Sequence, residues 1–248
     1  MTGSERGKVW RLIIQDAQEP QTNMAVDEAL LAEQSGANST PTLRFYRWSP
    51  PAVSLGYFQQ EDGLDQKALD ELGIVTVKRI TGGRAVLHWG DLTYSVTARA
   101  GRDMPASLAE SYRYICRGLL AGLALLGVNA SFGEEKYGAP FPASCFALAT
   151  PGDITWCGRK IIGSAQKRIG AALLQHGSIL LKPQGDLLAK IFAGTEAELL
   201  KCKVTSLEEI LARPVTAEEV QEAIIAGFEQ ELDITFVRVD NRVALSDE

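Results

Sequence analysis

The sequence is poor in the features that would tie it to a metal, a disulfide framework, a membrane or duplex nucleic acid. Its 248 residues include two histidines, His88 and His176, and four cysteines, Cys116, Cys145, Cys157 and Cys202, with no CxxC pair. That argues against a structural zinc site, and against disulfide staples in a chain without an export signal. The longest run without a polar side chain, Gly118–Val128, is eleven residues, well short of the roughly 20 that span a bilayer as a helix. The opening residues MTGSERGKVW carry charge but no apolar core, so no secretory signal is expected there. Positive charge is not in excess: 25 Lys and Arg stand against 31 Asp and Glu, a formal charge of −6. A duplex nucleic-acid binder needs the opposite balance or a strong basic cluster. There is no Walker A loop, dinucleotide fingerprint, internal repeat or low-complexity tract. These absences lead to the expectation of a soluble, cytoplasmic protein without a metal or cofactor.

What is present is an ordinary globular mixture, 46% hydrophobic and 23% charged, long enough to build one large core. VWRLIIQ (9–15) reads as a strand, followed by a helix through MAVDEALLAEQ capped by Thr22 or Asn23, with Asp27 and Glu28 in its early turns. Leu43–Trp48, Ala52–Leu55, Val75–Arg79 and Leu92–Ala98 read as short strands, and DQKALDELG as a helix closed by Gly73. Ser107 and Glu110 have capping-box spacing. Leu108, Ile115, Leu119, Leu123 and Leu126 mark the apolar face of the helix that follows, ending at Gly127. Gly118 and Gly122, one turn apart on it, predict close backbone packing. Residues 153–181 have the pattern of an antiparallel meander with a turn near Gly158. Gly194–Pro214 is the most loop-like stretch, and Thr216-x-x-Glu219 opens a helix bearing Val220, Ile224 and Phe228. The expected fold is α+β, a mostly antiparallel sheet with packed helices. It forms one domain over 1–248, with a short helical C-terminal tail at about 195–248.

Three clusters carry chemistry. In Arg79-Ile-Thr-Gly-Gly-Arg84-Ala-Val-Leu-His88, adjacent Gly82 and Gly83 let backbone N–H groups approach a ligand oxygen, with two arginines and a histidine close by. Spacing alone equally allows a tight hairpin turn with solvated arginines, and favours it. Cys145 sits in a segment broken by Pro140, Pro142 and Pro151, hence a loop, where a neighbouring cation would lower its pKa and make it a nucleophile. Cys116, within the long helix, reads as a small core hydrophobe, and Cys157 as incidental to a turn. In Gly158-Arg-Lys-Ile-Ile-Gly-Ser-Ala-Gln166, strand alternation puts Lys160, Ile162, Ser164 and Gln166 on one face. Position alone favours a solvated Lys160. Gly163 in mid-strand suggests close approach of a ligand or another backbone.

Together these segments resemble the LipM-type octanoyltransferases of the lipoate/biotin protein ligase family. The resemblance rests on NMAVDEALL (23–31), KRITGGRAVLHWGDLTYSV (78–96), Cys145-Phe146, GRKIIGSAQKR (158–168) and QHGSILL (175–181), spread in order over nearly the whole chain. ATP-dependent lipoate–protein ligases of the same family usually carry a third glycine where this chain has Arg84. They often carry Arg-Asn-Asp where it has Gly152-Asp153 behind a cysteine loop. The resemblance implies the α+β catalytic domain of the family. It implies that Cys145 takes octanoyl from octanoyl-acyl carrier protein as a thioester and passes it to a lysine of a lipoyl-carrier protein. That acceptor would be a glycine cleavage H protein or a 2-oxoacid dehydrogenase lipoyl domain. No ATP, metal, nucleic acid or membrane is implied. Lys160 would assist catalysis, and Arg79, Gly82, Gly83, Arg84, His88, Gly163 and Ser164 would bind substrate. Arg159, Lys167 and Arg168 form a basic cluster suited to docking acidic carriers. The alternatives are an ATP-dependent lipoate ligase and an amidotransferase moving octanoyl between lipoyl-carrier proteins.

Overall fold

Runs of buried β-branched and aromatic residues build the strands of a computed structural model, which describes residues 8–60, 63–133, 152–192 and 202–239. In chain order the elements are β1 (Lys8–Gln18), α1 (Pro20–Glu33), β2 (Thr42–Trp48), β3 (Ala52–Leu55), α2 (Gln66–Leu72), β4 (Val75–Lys78), β5 (Val86–His88) and β6 (Asp91–Arg99). They continue with α3 (Leu108–Leu125), β7 (Ser131–Phe132), β8 (Ile154–Trp156), β9 (Arg159–Ile169), β10 (Ala172–Leu180), α4 (Gly185–Ile191), α5 (Leu207–Leu211), α6 (Ala217–Leu232) and β11 (Ile234–Arg238). The large sheet has the order β11-β1-β2-β6-β10-β9-β8-β7, and a small one the order β4-β3-β5. Pairing in the large sheet is antiparallel except at one edge, where β1 runs parallel to both β2 and β11.

The two faces of the large sheet do different work. On one, Trp10, Phe45, Val96 and Leu173 join Ile115, Leu119, Val220, Ile224 and Phe228 of α3 and α6 in the main core. On the other, Ile13 packs on Val26 and Leu30 of α1, and Leu174 on Leu31. Val53, Leu55 and Leu87 of the small sheet close over Leu180 and α4 on this second side. All nine residues of β10 are buried, so its polar Gln175, His176 and Ser178 need partners from neighbouring elements.

Several local expectations change. Helix α1 starts at Pro20, with Glu19 as an N-cap that makes no side-chain hydrogen bond. Asn23 therefore lies inside the helix, and its side chain is spent on buried partners. Proline at the first helical position needs no donor there, which removes the need for a polar cap. The C-terminal segment is not purely helical, because β11 returns to pair with β1 at the sheet edge. Within the stretch that reads as loop, Ser206 and Glu209 form a full capping box and start α5. Leu108 is exposed and outside the core. The expected caps at Ser107 and Thr216, and the left-handed Gly73 closing α2, are all present.

Gly118 and Gly122 let α3 meet α6 backbone to backbone. A Cβ on Gly122 would stand 2.6 Å from the Cα of Ile224, and one on Gly227 would collide with the Gly122 backbone. At Gly118 the three nearest atoms all belong to the Phe228 ring. Alanine normally gains up to about 1 kcal/mol over glycine inside a helix. Overpacking outweighs that gain here, so Gly227→Ala is expected to lose about 1–3 kcal/mol in urea unfolding. Gly118→Ala, facing a movable ring, is expected to lose less.

Candidate active site

A cleft with a cavity volume of about 50 Å³ lies between the large sheet and the small one. Its floor follows from strand register. Tyr46, Thr93, Ser178 and Gly163 are successive partners across β2, β6, β10 and β9, and all four line the cleft. The next row along the strands is Arg44, Ser95, His176 and Ala165. The roof comes from Ser54 on β3, Val86 and His88 on β5, and Arg79 and Gly83 on the connection between β4 and β5.

That connection is not a hairpin. β4 and β5 flank β3 on opposite sides and do not pair with each other, so residues 79–85 cross over the end of β3. The crossing is tight: Gly83 has φ +96°, and a Cβ on Gly56 would collide with the Gly83 carbonyl. Nor is Arg79 solvated. It is buried, and donates to the carbonyls of Gly82 at 2.9 Å and Arg84 at 2.7 Å. Arg84 is half-buried.

On the same face of the sheet, next to the floor, lies a buried carboxylate, Asp27 of α1. It accepts from Arg44 Nη1 at 2.7 Å, Ser95 Oγ at 2.8 Å, Tyr46 Oη at 2.9 Å and His176 Nδ1 at 3.0 Å. Burial pushes its pKa up, but the Arg44 guanidinium and the His176 hydrogen bond outweigh that and hold it below the usual carboxylate value. His176 is moved down, chiefly by burial, with Asp27 opposing the shift and the charges of Arg79 and His88 adding to it. The pair is therefore an anionic Asp27 and a neutral His176. The second histidine has the same kind of support: His88 Nδ1 lies 2.9 Å from Asp91 Oδ2, which also accepts from Ser178 Oγ at 2.7 Å. The indole of Trp48 stacks on His88 at 3.9 Å.

Lys160 is also buried, contrary to a solvated reading. Its side chain is 1% exposed, and its ammonium lies 3.0 Å from Asp153 Oδ2. The β8–β9 turn falls at Cys157 and Gly158, both at positive φ, so the lysine lies two residues inside β9 rather than at a free turn. Gly163 and Ser164, farther along β9, reach the cleft, and Ser164 Oγ bonds Tyr94 Oη at 2.7 Å. Cys116 sits in the core with its thiol pushed up to about 12 by burial, so it is inert. Cys145 lies outside the described residues.

Thus Arg79, Gly83, His88, Gly163 and Ser164 meet at one cleft, with Gly82 and Arg84 adjoining. Lys160 is not part of the wall among the described residues. Sequence reasoning missed Ser54, Thr81, Asp91 and His176, and took Asp27 for a helix-dipole residue. The spacing His88-x-x-Asp91 and a histidine in mid-strand were the available signals. Among the described residues no group of three or more His, Cys, Asp and Glu is placed to hold a metal ion.

Residues 19–229 match the family model described as the lipoyl protein ligase A/B catalytic domain. The chain is 42% identical to octanoyltransferase LipM of Moorella thermoacetica, over 93% of this chain and 89% of the relative. It is 41% identical to octanoyltransferase LipM of Geobacillus kaustophilus, over 92% and 87%. Among solved structures it resembles lipoate-protein ligase A bound with ATP, with a TM-score of 0.77 at 28% identity, covering 94% of this chain and 90% of the other.

Two outcomes follow from the buried charges. The His176 pKa is lower in the folded chain than its ordinary 6.5. Its contribution to stability is therefore complete above that value and is lost as the pH falls below it. Thermal unfolding should show Tm dropping as the pH falls below about 6.5, with a shallower drop in His176→Gln. Removing the carboxylate beside Lys160 with Asp153→Ala should cost on the order of 3–5 kcal/mol in denaturant unfolding, whereas Lys160→Met with Asp153→Leu should restore most of it.

Proposed function

The chain belongs to the lipoyl protein ligase A/B catalytic family, and from that premise we propose that it is an octanoyltransferase of lipoate biosynthesis working through a cysteine thioester. The observation that carries the reading is 42% identity over 93% of the chain to a relative bearing that name. The donor is octanoyl-acyl carrier protein. The Cys145 thiolate attacks the thioester carbonyl, the carrier thiol leaves with a proton, and the acyl group stays on Cys145. A lysine amine of a lipoyl-carrier protein then attacks, the amide forms and the Cys145 thiolate is regenerated. Thioester exchange is nearly neutral and thioester-to-amide transfer is downhill, so no ATP is consumed.

Lys160 supplies the positive charge, by stabilising the thiolate or by relaying protons between attacking and leaving groups. Its burial beside Asp153 supports the assignment, because such a charge is preorganised and shielded from water. Gly82 and Gly83 offer backbone N–H groups for the oxyanion, and Arg84, His88, Gly163 and Ser164 surround the acyl end. No helix among the described residues is long and apolar enough to cross a membrane, in keeping with a cytoplasmic enzyme working between two soluble carriers.

For carrier docking, the basic cluster narrows. Arg168 is committed to the start of α3, donating to the carbonyls of Ala106 and Ser107 and to Ser111 Oγ. Arg159, 3.6 Å from Glu209, and Lys167, over the Tyr57 ring, are left as docking residues. Similarity to an ATP-bound ligase supports a second reading, adenylation of lipoate.

Incubation with octanoyl-acyl carrier protein without ATP should give an octanoyl adduct by intact mass that hydroxylamine removes and Cys145→Ala abolishes. Product formed only with ATP and lipoate, and unaffected by Cys145→Ala, would establish the ligase instead.

A further inference from the structure

Arg79 spends its donors on the protein. Nε donates to Thr81 Oγ1 at 3.1 Å, Nη1 to the Ser54 carbonyl at 2.7 Å and Ser54 Oγ at 3.2 Å, and Nη2 to the Gly82 and Arg84 carbonyls. Each hydroxyl that it meets ends a relay of the same construction. Thr81 Oγ1 lies 2.7 Å from His176 Nε2, whose Nδ1 faces Asp27. Ser54 Oγ lies 2.9 Å from His88 Nε2, whose Nδ1 faces Asp91. An ionised carboxylate only accepts, so each Nδ1 carries the ring proton. In a neutral ring, the state burial favours for His176, the Nε2 is then an acceptor and must take the hydroxyl proton. That turns the hydroxyl lone pairs toward the guanidinium, which only donates. Every polarity in both relays is thus set by a carboxylate two groups away.

We propose that Thr81 and Ser54 are positioning residues whose hydroxyls, oriented by Asp27–His176 and Asp91–His88, lock Arg79 onto the glycine loop and so fix where Gly82–Arg84 stands over the cleft. Both act through Arg79, which grips two loop carbonyls. The functional part rests on the acyl-transfer reading; the hydrogen-bond polarity does not.

The full chain, 15N-labelled at histidine, tests the polarity directly. Long-range 1H–15N spectra should show both rings as Nδ1–H tautomers with hydrogen-bonded, unprotonated Nε2. Thr81→Val keeps the shape and removes the hydroxyl. It should shift the His176 Nε2 resonance toward that of a free acceptor and lower octanoyl transfer by roughly 100-fold, mainly in kcat. Thr81→Ser should restore both, and Ser54→Ala should repeat the effect at His88. An Nε2–H tautomer on either ring overturns the proposal. So does a folded Thr81→Val that transfers at the parent rate, or a folded Thr81→Ser as slow as Thr81→Val. If Thr81→Val does not fold, the parent tautomers and Ser54→Ala decide. If the parent transfers no octanoyl at all, the acyltransferase reading fails, while the tautomers and Nε2 shifts still decide the relay.

Discussion

Withdrawing a carboxylate from water costs several kcal/mol unless its oxygens meet donors, and a lone buried charge costs more than the pair it belongs to. Asp27 meets that demand with four side chains drawn from three adjacent strands: Arg44 and Tyr46 of β2, Ser95 of β6 and His176 of β10. Arg44 in turn is tied to Gln15 Oε1 and Asn23 Oδ1, so α1 and β1 are held to the same point. Since Arg44, Ser95 and His176 are register partners, a one-residue slip of any of these strands would send its contributor to the opposite face. The ion pair is therefore better understood as a register device than as a source of stability.

The same point sets the active cleft. His176 is neutral because it is buried and keeps its proton on Nδ1 because Asp27 is ionised. Through Thr81 and Arg79 that choice reaches the glycine loop, whose far side is fixed by contact with Gly56. The opposite face of the large sheet carries a smaller polar cluster without a carboxylate at its centre, Tyr94, Ser164, Gln166 and Gln175. There, glycines at the α3–α6 contact and apolar side chains bring two helices close, and packing supplies the rigidity that the polar face relies on.

What was legible in the residues follows from range. Signals that act within four residues, such as the caps at Ser107 and Thr216, the Gly73 terminus and the β8–β9 turn at Gly158, all appear where spacing places them. The glycine loop was legible as a cluster of chemistry, but its shape was not. Whether it is a hairpin or a crossover depends on which strand fills the space between β4 and β5, and β3 precedes both. The buried states of Arg79 and Lys160 were likewise hidden, since each is set by acceptors from other segments: Ser54 and Asp153. Asp27 shows the limit best. On a helix opening at Asn23 it would satisfy the dipole rule, but α1 starts at Pro20, which puts Asp27 in mid-helix facing a guanidinium from β2.

The chain's two histidines, scarce enough to argue against zinc at the outset, both end in one cleft and share one design. A ring with Nδ1 given to a carboxylate and Nε2 given a hydroxyl proton has neither nitrogen open toward a substrate. In a hydrolytic triad the same connectivity works because the hydroxyl is the nucleophile and faces the substrate. Here Ser54 and Thr81 turn their lone pairs to Arg79 instead, which withdraws them from attack. The histidines therefore serve as fixed acceptors that shape the site. In the proposed thioester mechanism, proton movement then falls to groups that can change partners: the Cys145 thiol, the carrier thiol, the acceptor amine and Lys160. That division of labour suits transfer over hydrolysis, because a site with no imidazole base poised in it activates water poorly and leaves the thioester to the stronger amine nucleophile.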